Sequence, residues 1–211
     1  MNAGLTSERV YEGLRQRILD REFRPGDRLD PSALAEVLNS SVTPVRDALH
    51  NLTGAGLVET RTSEGFHLPH IDEPGLQDLY AWNAEILSLA LRSRRAADEP
   101  AGCRSKLDDL LAAAGGDAAA ASAELFARIA ERSSNIEHHR AVRSANDRLH
   151  AARLAESRVL AGIEEELADL CEAAGEGAAA KLRKLITAYH RRRRRAAAEI
   201  VRSLYRDEVR P

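Results

Sequence analysis

The hydrophobic positions fall at helical spacing in the first third of the chain. Val10, Leu14 and Ile18 predict a helix over residues 7–21, behind the capping candidates Thr6 and Ser7. Pro25-Gly26, inside FRPGDRL, is a turn signal that ends it. DPSALAEVL predicts a second helix, with Asp30 as N-cap, Pro31 at the first helical position and Leu34, Ala35 and Leu38 on one face. After the short NSSV turn, a third helix sets Val45, Ala48, Leu49 and Leu52 on one side. Arg46, Asp47, His50 and Asn51 lie on the other, and the helix stops at Gly54 or Gly56. LVETR, TSEG and FHLPH read as strand, turn and strand. Three helices followed by a β-hairpin form a winged helix-turn-helix pattern.

From residue 73 the strand signal stops, and only Pro74 and Pro100 interrupt the chain before Pro211. Helical patterns run near 74–97, 103–114, 118–133, 136–155, 157–174 and 178–207, separated by DEPAG, AGGD, the turn at 133–135 and AAGEGA. The expected fold is therefore mainly α. A winged helix-turn-helix over 1–72 is followed by an all-α helical bundle over 73–211, a size that sustains its own core. No internal repeat at solenoid period is present.

Composition agrees with helix. Hydrophobic residues make up 44% of the 211 positions and aromatics only 4%, so the core must be built from Leu, Ala, Val and Ile. Formal net charge is −2, and residues 1–72 carry eight Arg against eleven acidic groups. No global basic balance argues for nucleic acid, so any phosphate contact depends on where charges and backbone N–H groups sit. Cys103 and Cys171 stand alone and read as small buried apolar residues in a reducing compartment. Neither a signal peptide nor an 18-residue apolar run is seen, so a soluble cytoplasmic protein is expected. GxSxG, HExxH and phosphate-loop motifs are missing too, which argues against an enzyme.

LRQRILDREFRPGDRLDPSALAEVLNSSVTPVRDALHNLTGAGLVETRTSEGFHLP resembles the GntR family of bacterial transcription regulators. The markers are Pro25-Gly26, Leu29, Leu34-Ala35, Ser41, Pro44-Val45-Arg46, Ala48-Leu49, Leu52, Gly56-Leu57-Val58 and Gly65. The remainder resembles the helical FCD effector domain of the fatty-acid-regulator-like branch, through Leu79-Tyr80, Phe126, Asn135, Leu149, Arg153 and an alanine-rich last helix. The resemblance implies a homodimer on a short pseudo-palindromic operator in double-stranded DNA. The third helix would enter the major groove and the wing the minor groove. The helical domain would dimerise and bind a small effector.

On that resemblance, Ser41 and Thr43 hydroxyls and the helix-start N–H groups suit phosphate. Arg46 suits a guanine edge, worth about 1–3 kcal/mol of discrimination; the other reading is an ion pair with Asp47 or Asp30. His50 and Asn51 would reach the backbone or flank. Arg15 is a candidate phosphate contact or a solvated helix position. In the wing, Gly65 allows a tight turn or close approach, while Ser63 and His67 would touch sugar or phosphate or serve a plain hairpin. The family usually has Arg where this chain has Val42. Valine meets a thymine methyl but not a guanine edge, so the family's usual operator does not carry over.

FCD domains often hold a divalent metal through one Asp and three His. Aligned by the markers, those positions fall on Ala123, Ala127, Lys181 and Ser203, which form no ligand set. No metal or other cofactor is expected. Trp82, Asn83, Arg153, Lys181 and Ser203, with Ala123 and Ala127, would line an effector cavity, Lys181 or Arg153 holding an anionic group. The alternative is a filled core with Lys181 reaching water. His138, His139 and His150 read as surface histidines. HRRRRRAAA, residues 190–198, reads either as a solvated helix or hairpin tip or as a contact to DNA phosphates, near an expected break between two antiparallel helices. Two regulator types fit: one responsive to a small anion, and one whose helical domain serves only dimerisation or partner binding.

Overall fold

The computed structural model of the chain describes residues 3–62, 64–93 and 107–206. The chain divides into two compact units, Met1–Ile71 and Asp72–Pro211. The fold is mainly α, a winged helix followed by an all-helical unit.

The first unit contains α1 (Ala3–Leu19), β1 (Arg28–Leu29), α2 (Pro31–Val37), α3 (Val42–Gly54), β2 (Glu59–Arg61) and β3 (Gly65–His67). Helix α1 begins before Thr6 and Ser7, so these residues lie inside it and do not cap it. Asp30 caps α2, accepting from Ser32 N at 2.9 Å and Ala33 N at 3.0 Å. The bond from Ala33 is the main reason its carboxyl is held below its usual pKa. Asn39, at φ +47°, turns the chain between α2 and α3. The sheet runs β1-β3-β2, all antiparallel, with Leu29 and Thr60 both facing Phe66 in register. Val10, Leu14, Leu29, Val45, Leu49, Leu52 and Phe66 close the core between helices and sheet.

The second unit contains α4 (Glu73–Arg92), α5 (Leu107–Ala113), α6 (Ala118–Glu131), α7 (Ile136–Glu156), α8 (Ile163–Gly175) and α9 (Ala179–Arg206). Asp72, Asp117 and Asn135 cap α4, α6 and α7 through side-chain oxygens. Helix α8 begins six residues later than its pattern predicts, after left-handed Gly162 at φ +68°. Helix α4 packs against α7 and α9, and α6 against α7. Phe126, Ile129, Leu170, Ile186 and Tyr189 sit at the centre. Cys171 is buried there, while Cys103 lies outside the described residues. Among the described residues no single helix is long and apolar enough to cross a membrane.

The helical pattern over 178–207 is a single helix, and the break near residues 189–192 that the resemblance implies is not there. Leu182, Ile186, Tyr189, His190, Arg193, Ala197, Ile200 and Leu204 form one buried stripe along an uninterrupted α9. The stripe keeps its core partners straight through the arginine run, so the helix has no cause to end there.

Candidate functional site: the third helix and a buried polar cluster

Val45, Ala48, Leu49 and Leu52 anchor α3 in the core and turn its other face outward. Ser41, Val42, Thr43, Arg46, His50 and Asn51 are all exposed. Ser41 stands at the N-cap but makes no side-chain capping bond, and Pro44 has no N–H. The N–H groups of Val42 and Thr43 thus open on the surface without a side-chain acceptor, at the positive end of the helix dipole. The Arg46 guanidinium makes no salt bridge with Asp47 or Asp30 among the described residues, although its charge is near enough to Asp30, which is engaged in its cap, to help lower that carboxyl's pKa. His50 keeps one edge against Phe66 of β3, with ring centroids 4.9 Å apart at 75°.

The other expected DNA-facing residues divide. Arg15 on α1 is partly buried and bonds Glu12 at 3.4 Å. Gly65 is exposed at φ +87°, with open space where a Cβ would stand. Ser63 lies outside the described residues. His67 departs from expectation: only 6% of it is exposed, and its Nδ1 lies 3.4 Å from the Gly65 carbonyl. As a β3 residue paired with both Arg28 and Glu59, it is turned into the sheet interior rather than toward the wing tip.

The five residues expected to line an effector cavity do not come together. Trp82 is 48% exposed, Ser203 is partly buried, and only Asn83 and Arg153 lie inside. Lys181 is exposed and pairs with Glu172 at 2.9 Å and Glu176 at 3.5 Å on and beside α8. The bond to Glu172 raises its pKa. Lys181 is therefore a helix-to-helix tie, and with Ala123 and Ala127 it offers nothing to a metal. His138 and His139 are not free surface groups either. His138 Nδ1 lies 2.8 Å from Ser133 Oγ, and His139 Nδ1 lies 3.3 Å from the Ala127 carbonyl.

What the interior does contain is a network of buried polar groups. Arg193 is fully buried, with Nε donating to Glu156 at 2.7 Å and Nη1 to Glu166 at 2.7 Å. Burial disfavours its charge, but Tyr189 and then the facing carboxylates of Glu156 and Glu166 overcome that and raise its pKa. Tyr80 donates to the other Glu156 oxygen. Its phenol is held protonated by burial and then by the Glu156 charge. On the opposite side, Arg153 donates to Asn146 at 3.0 Å, and its guanidinium carbon stands 5.3 Å from the Phe126 ring centre. Its Nε and Nη2 are buried without a partner.

His190 sits between Asn83, Phe126 and Tyr189. Burial is the main cause that pushes its pKa down to about 3, with the charges of Arg153 and Arg193 adding to it. A neutral imidazole has one N–H, yet Nδ1 lies 2.7 Å from the Ile186 carbonyl and Nε2 lies 2.8 Å from Asn83 Oδ1. Both cannot be donors. Turning the Asn83 amide by half a rotation places Nδ2 against Nε2 and leaves Nδ1–H for Ile186. That arrangement also satisfies the otherwise orphaned Asn83 Nδ2. Tyr80, Glu156, His190 and Arg193 were missed by sequence reasoning. The signal that finds three of them is the heptad-like stripe of α9 and its counterpart on α4.

Residues 6–68 match the model of the gntR family of bacterial regulatory proteins. The chain is 34% identical over 137 residues to the Nta operon transcriptional regulator of Aminobacter aminovorans, covering 62% of this chain and 65% of that one. It is 29% identical over 84 residues to the HTH-type transcriptional regulator McbR of Escherichia coli, 39% of this chain and 38% of the relative. The matched stretches thus span less than two-thirds of each relative. In fold, the chain is similar to a GntR protein of Rhodococcus sp. RHA1, with TM-score 0.72 at 20% identity, over 92% of this chain and 97% of that one. It is also similar to E. coli McbR/YncC, with TM-score 0.68 at 18% identity, over 96% and 98%. Those two likenesses concern the fold alone. Over its winged-helix residues 6–68, the chain is thus similar to the gntR family of bacterial regulatory proteins.

Proposed function

We propose that the chain is a sequence-specific DNA-binding transcription regulator that works as a homodimer in the cytoplasm and represses by occupying promoter DNA. The observation that carries this reading is the open first turn of α3, where Thr43, the helix-start N–H groups and an unpaired Arg46 share one exposed surface. Thr43 and the N–H groups take phosphate, Arg46 takes a guanine edge, and Gly65 brings the wing close to the minor groove. Titration of DNA from upstream of its own gene against wild type and Arg46→Ala, at two salt concentrations, tests it. Specific binding weakened by about 1–3 kcal/mol in the variant supports the assignment. Equal binding by both proteins refutes it.

The helical unit is read as an FCD-type domain whose metal ligands have been replaced by Ala123, Ala127, Lys181 and Ser203. Its effector is a small organic anion held by Arg153, whose Nε and Nη2 lie buried and unpartnered beside Phe126. Thermal shift with a panel of small carboxylates, on wild type and Arg153→Gln, tests this part. A second reading has its own support. Arg193, Glu156 and His190 fill the bundle interior with one another, as a domain used only for dimerisation or partner binding would. A panel that leaves the wild-type transition unmoved favours that reading.

A further inference from the structure

The arginine run of α9 does two different things. Arg193 belongs to the core, and Arg192 bonds the Ala161 carbonyl and Glu166. Arg183, Lys184, Arg191, Arg194 and Arg195 are all exposed, and among the described residues their side chains have no ion-pair partner. At 3.6 residues per turn these five positions lie on one face, opposite the buried stripe, over about 18 Å of helix. Residues 179–206 hold ten Lys and Arg against the single acid Glu199, a net of +9 in a chain whose total is −2. Beside this face, α4 and α9 frame a groove of about 540 Å³ lined by Arg92, Arg191 and Arg194 with Ser88, Leu89 and Glu85.

We propose that this exposed face of α9 is a second polyanion-binding surface, and that its ligand is the phosphate backbone of duplex DNA, contacted without sequence preference. Four of the five free cations are Arg, whose planar fork pairs two-pronged with phosphate oxygens. Duplex DNA carries one negative charge per about 1.7 Å of axis, so 18 Å of it offers enough phosphates for all five. A lipid surface fits less well, because a helix lying on a bilayer inserts an apolar face. Here that face is sealed in the core, and the exposed one interleaves its cations with Ala180, Thr187, Ala188 and Ala198. A two-fold contact centred on α9 would set this face against its own copy, like charge on like. The inference takes its choice of polyanion from the DNA-binding reading above, but it does not depend on α3.

The test uses the full chain in three forms: wild type, an α3 variant (Thr43→Ala with Arg46→Ala), and an α9 variant with Arg183, Lys184, Arg191, Arg194 and Arg195 all changed to Gln. The substituted side chains of the α9 variant stand on an exposed helix face and keep helix propensity, and circular dichroism with thermal melting verifies its fold. Each protein is titrated with a 30-base-pair random-sequence duplex between about 50 and 200 mM salt. The α9 variant is expected to lose at least tenfold in affinity at the lower salt, and its log–log salt slope to become shallower by about three to four. The α3 variant is expected to keep the wild-type slope within about one unit, having lost at most one phosphate contact there. An unchanged slope in the α9 variant overturns the proposal. So does capture of wild type by phosphatidylserine vesicles but not by duplex, or a change of oligomeric state in the α9 variant with the slope unchanged. If the α3 variant retains full preference for its own upstream DNA, the reading of α3 fails, while the α9 slope still decides this inference.

Discussion

Arg193 Nε donates to Glu156 at 2.7 Å, across 37 residues of sequence, and neither side chain is more than 2% exposed. The pair ties the middle of α9 to the last turn of α7, and Tyr80 of α4 holds the second carboxylate oxygen. Three helices are thus fixed to one another by groups that share one buried charge.

Removing one member is expected to cost far more than removing both. Arg193→Met leaves the Glu156 carboxylate buried with only Tyr80, and stability to urea should fall by about 3–5 kcal/mol. Arg193→Met with Glu156→Met deletes both charges and should recover at least half of that loss, and adding Tyr80→Phe removes the hydroxyl left without an acceptor. A double variant as unstable as the single one shows that packing, and not the charge pair, holds the junction.

His190 makes stability depend on pH with a definite sign. Its pKa in the folded chain is about 3, below the ordinary value of 6.5, so the unfolded chain binds the extra proton first. The neutral imidazole costs nothing above pH 6.5, and the penalty grows as pH falls from 6.5 toward 3. Between pH 6.5 and 5 the wild type should lose about 2 kcal/mol through this group. His190→Gln, which still reaches Asn83, should show a correspondingly flatter profile in denaturant titrations. Parallel profiles for the two proteins place the pH dependence elsewhere.

Helix α3 was legible because its apolar period and its stop at Gly54 agree. Strand β1 was not, since Arg28 and Leu29 are too short a run to show alternation, and their partner Phe66 lies far along the chain. In α9 the period was present but masked. Arg193 occupies the slot that spacing from Leu182, Ile186 and Tyr189 marks for an apolar side chain, and five consecutive arginines hide it. Its acceptors on α7 and α8 cannot be found from spacing within one helix. The effector-cavity set failed for a related reason. Lys181 and Ser203 were placed by linear correspondence, whereas helix phase turns Lys181 to Glu172 and brings His190 inside.

Gly65 separates a backbone requirement from a ligand requirement. A Cβ there meets no atom within 4 Å, so Gly65→Ala introduces no clash and only the strain of φ +87°. A loss of about 1–2 kcal/mol in unfolding free energy is expected, and a smaller one for Gly65→Asn, which tolerates the left-handed region better. If the wing backbone approaches DNA as proposed, both variants also lose affinity for upstream DNA at temperatures where they remain folded. Wild-type affinity in both confines the glycine's role to the turn.

Val42 offers the sharpest test of what α3 reads. It is the first residue of the helix and 36% exposed, and the resemblance to the gntR family implies an Arg at this position. On the proposed reading its methyl groups meet a thymine methyl, a contact that a guanidinium replaces with a two-pronged bond to guanine O6 and N7. Val42→Arg is therefore expected to change the preferred base at one position in each half-site from thymine to guanine, by about 1–3 kcal/mol, and to leave the other positions alone. Selection of bound fragments from a random duplex pool, compared between the two proteins, reads this directly. A preference that shifts at several positions would mean that the helix has been reseated in the groove. No shift at all would mean that residue 42 faces phosphate, and that base reading begins at Arg46.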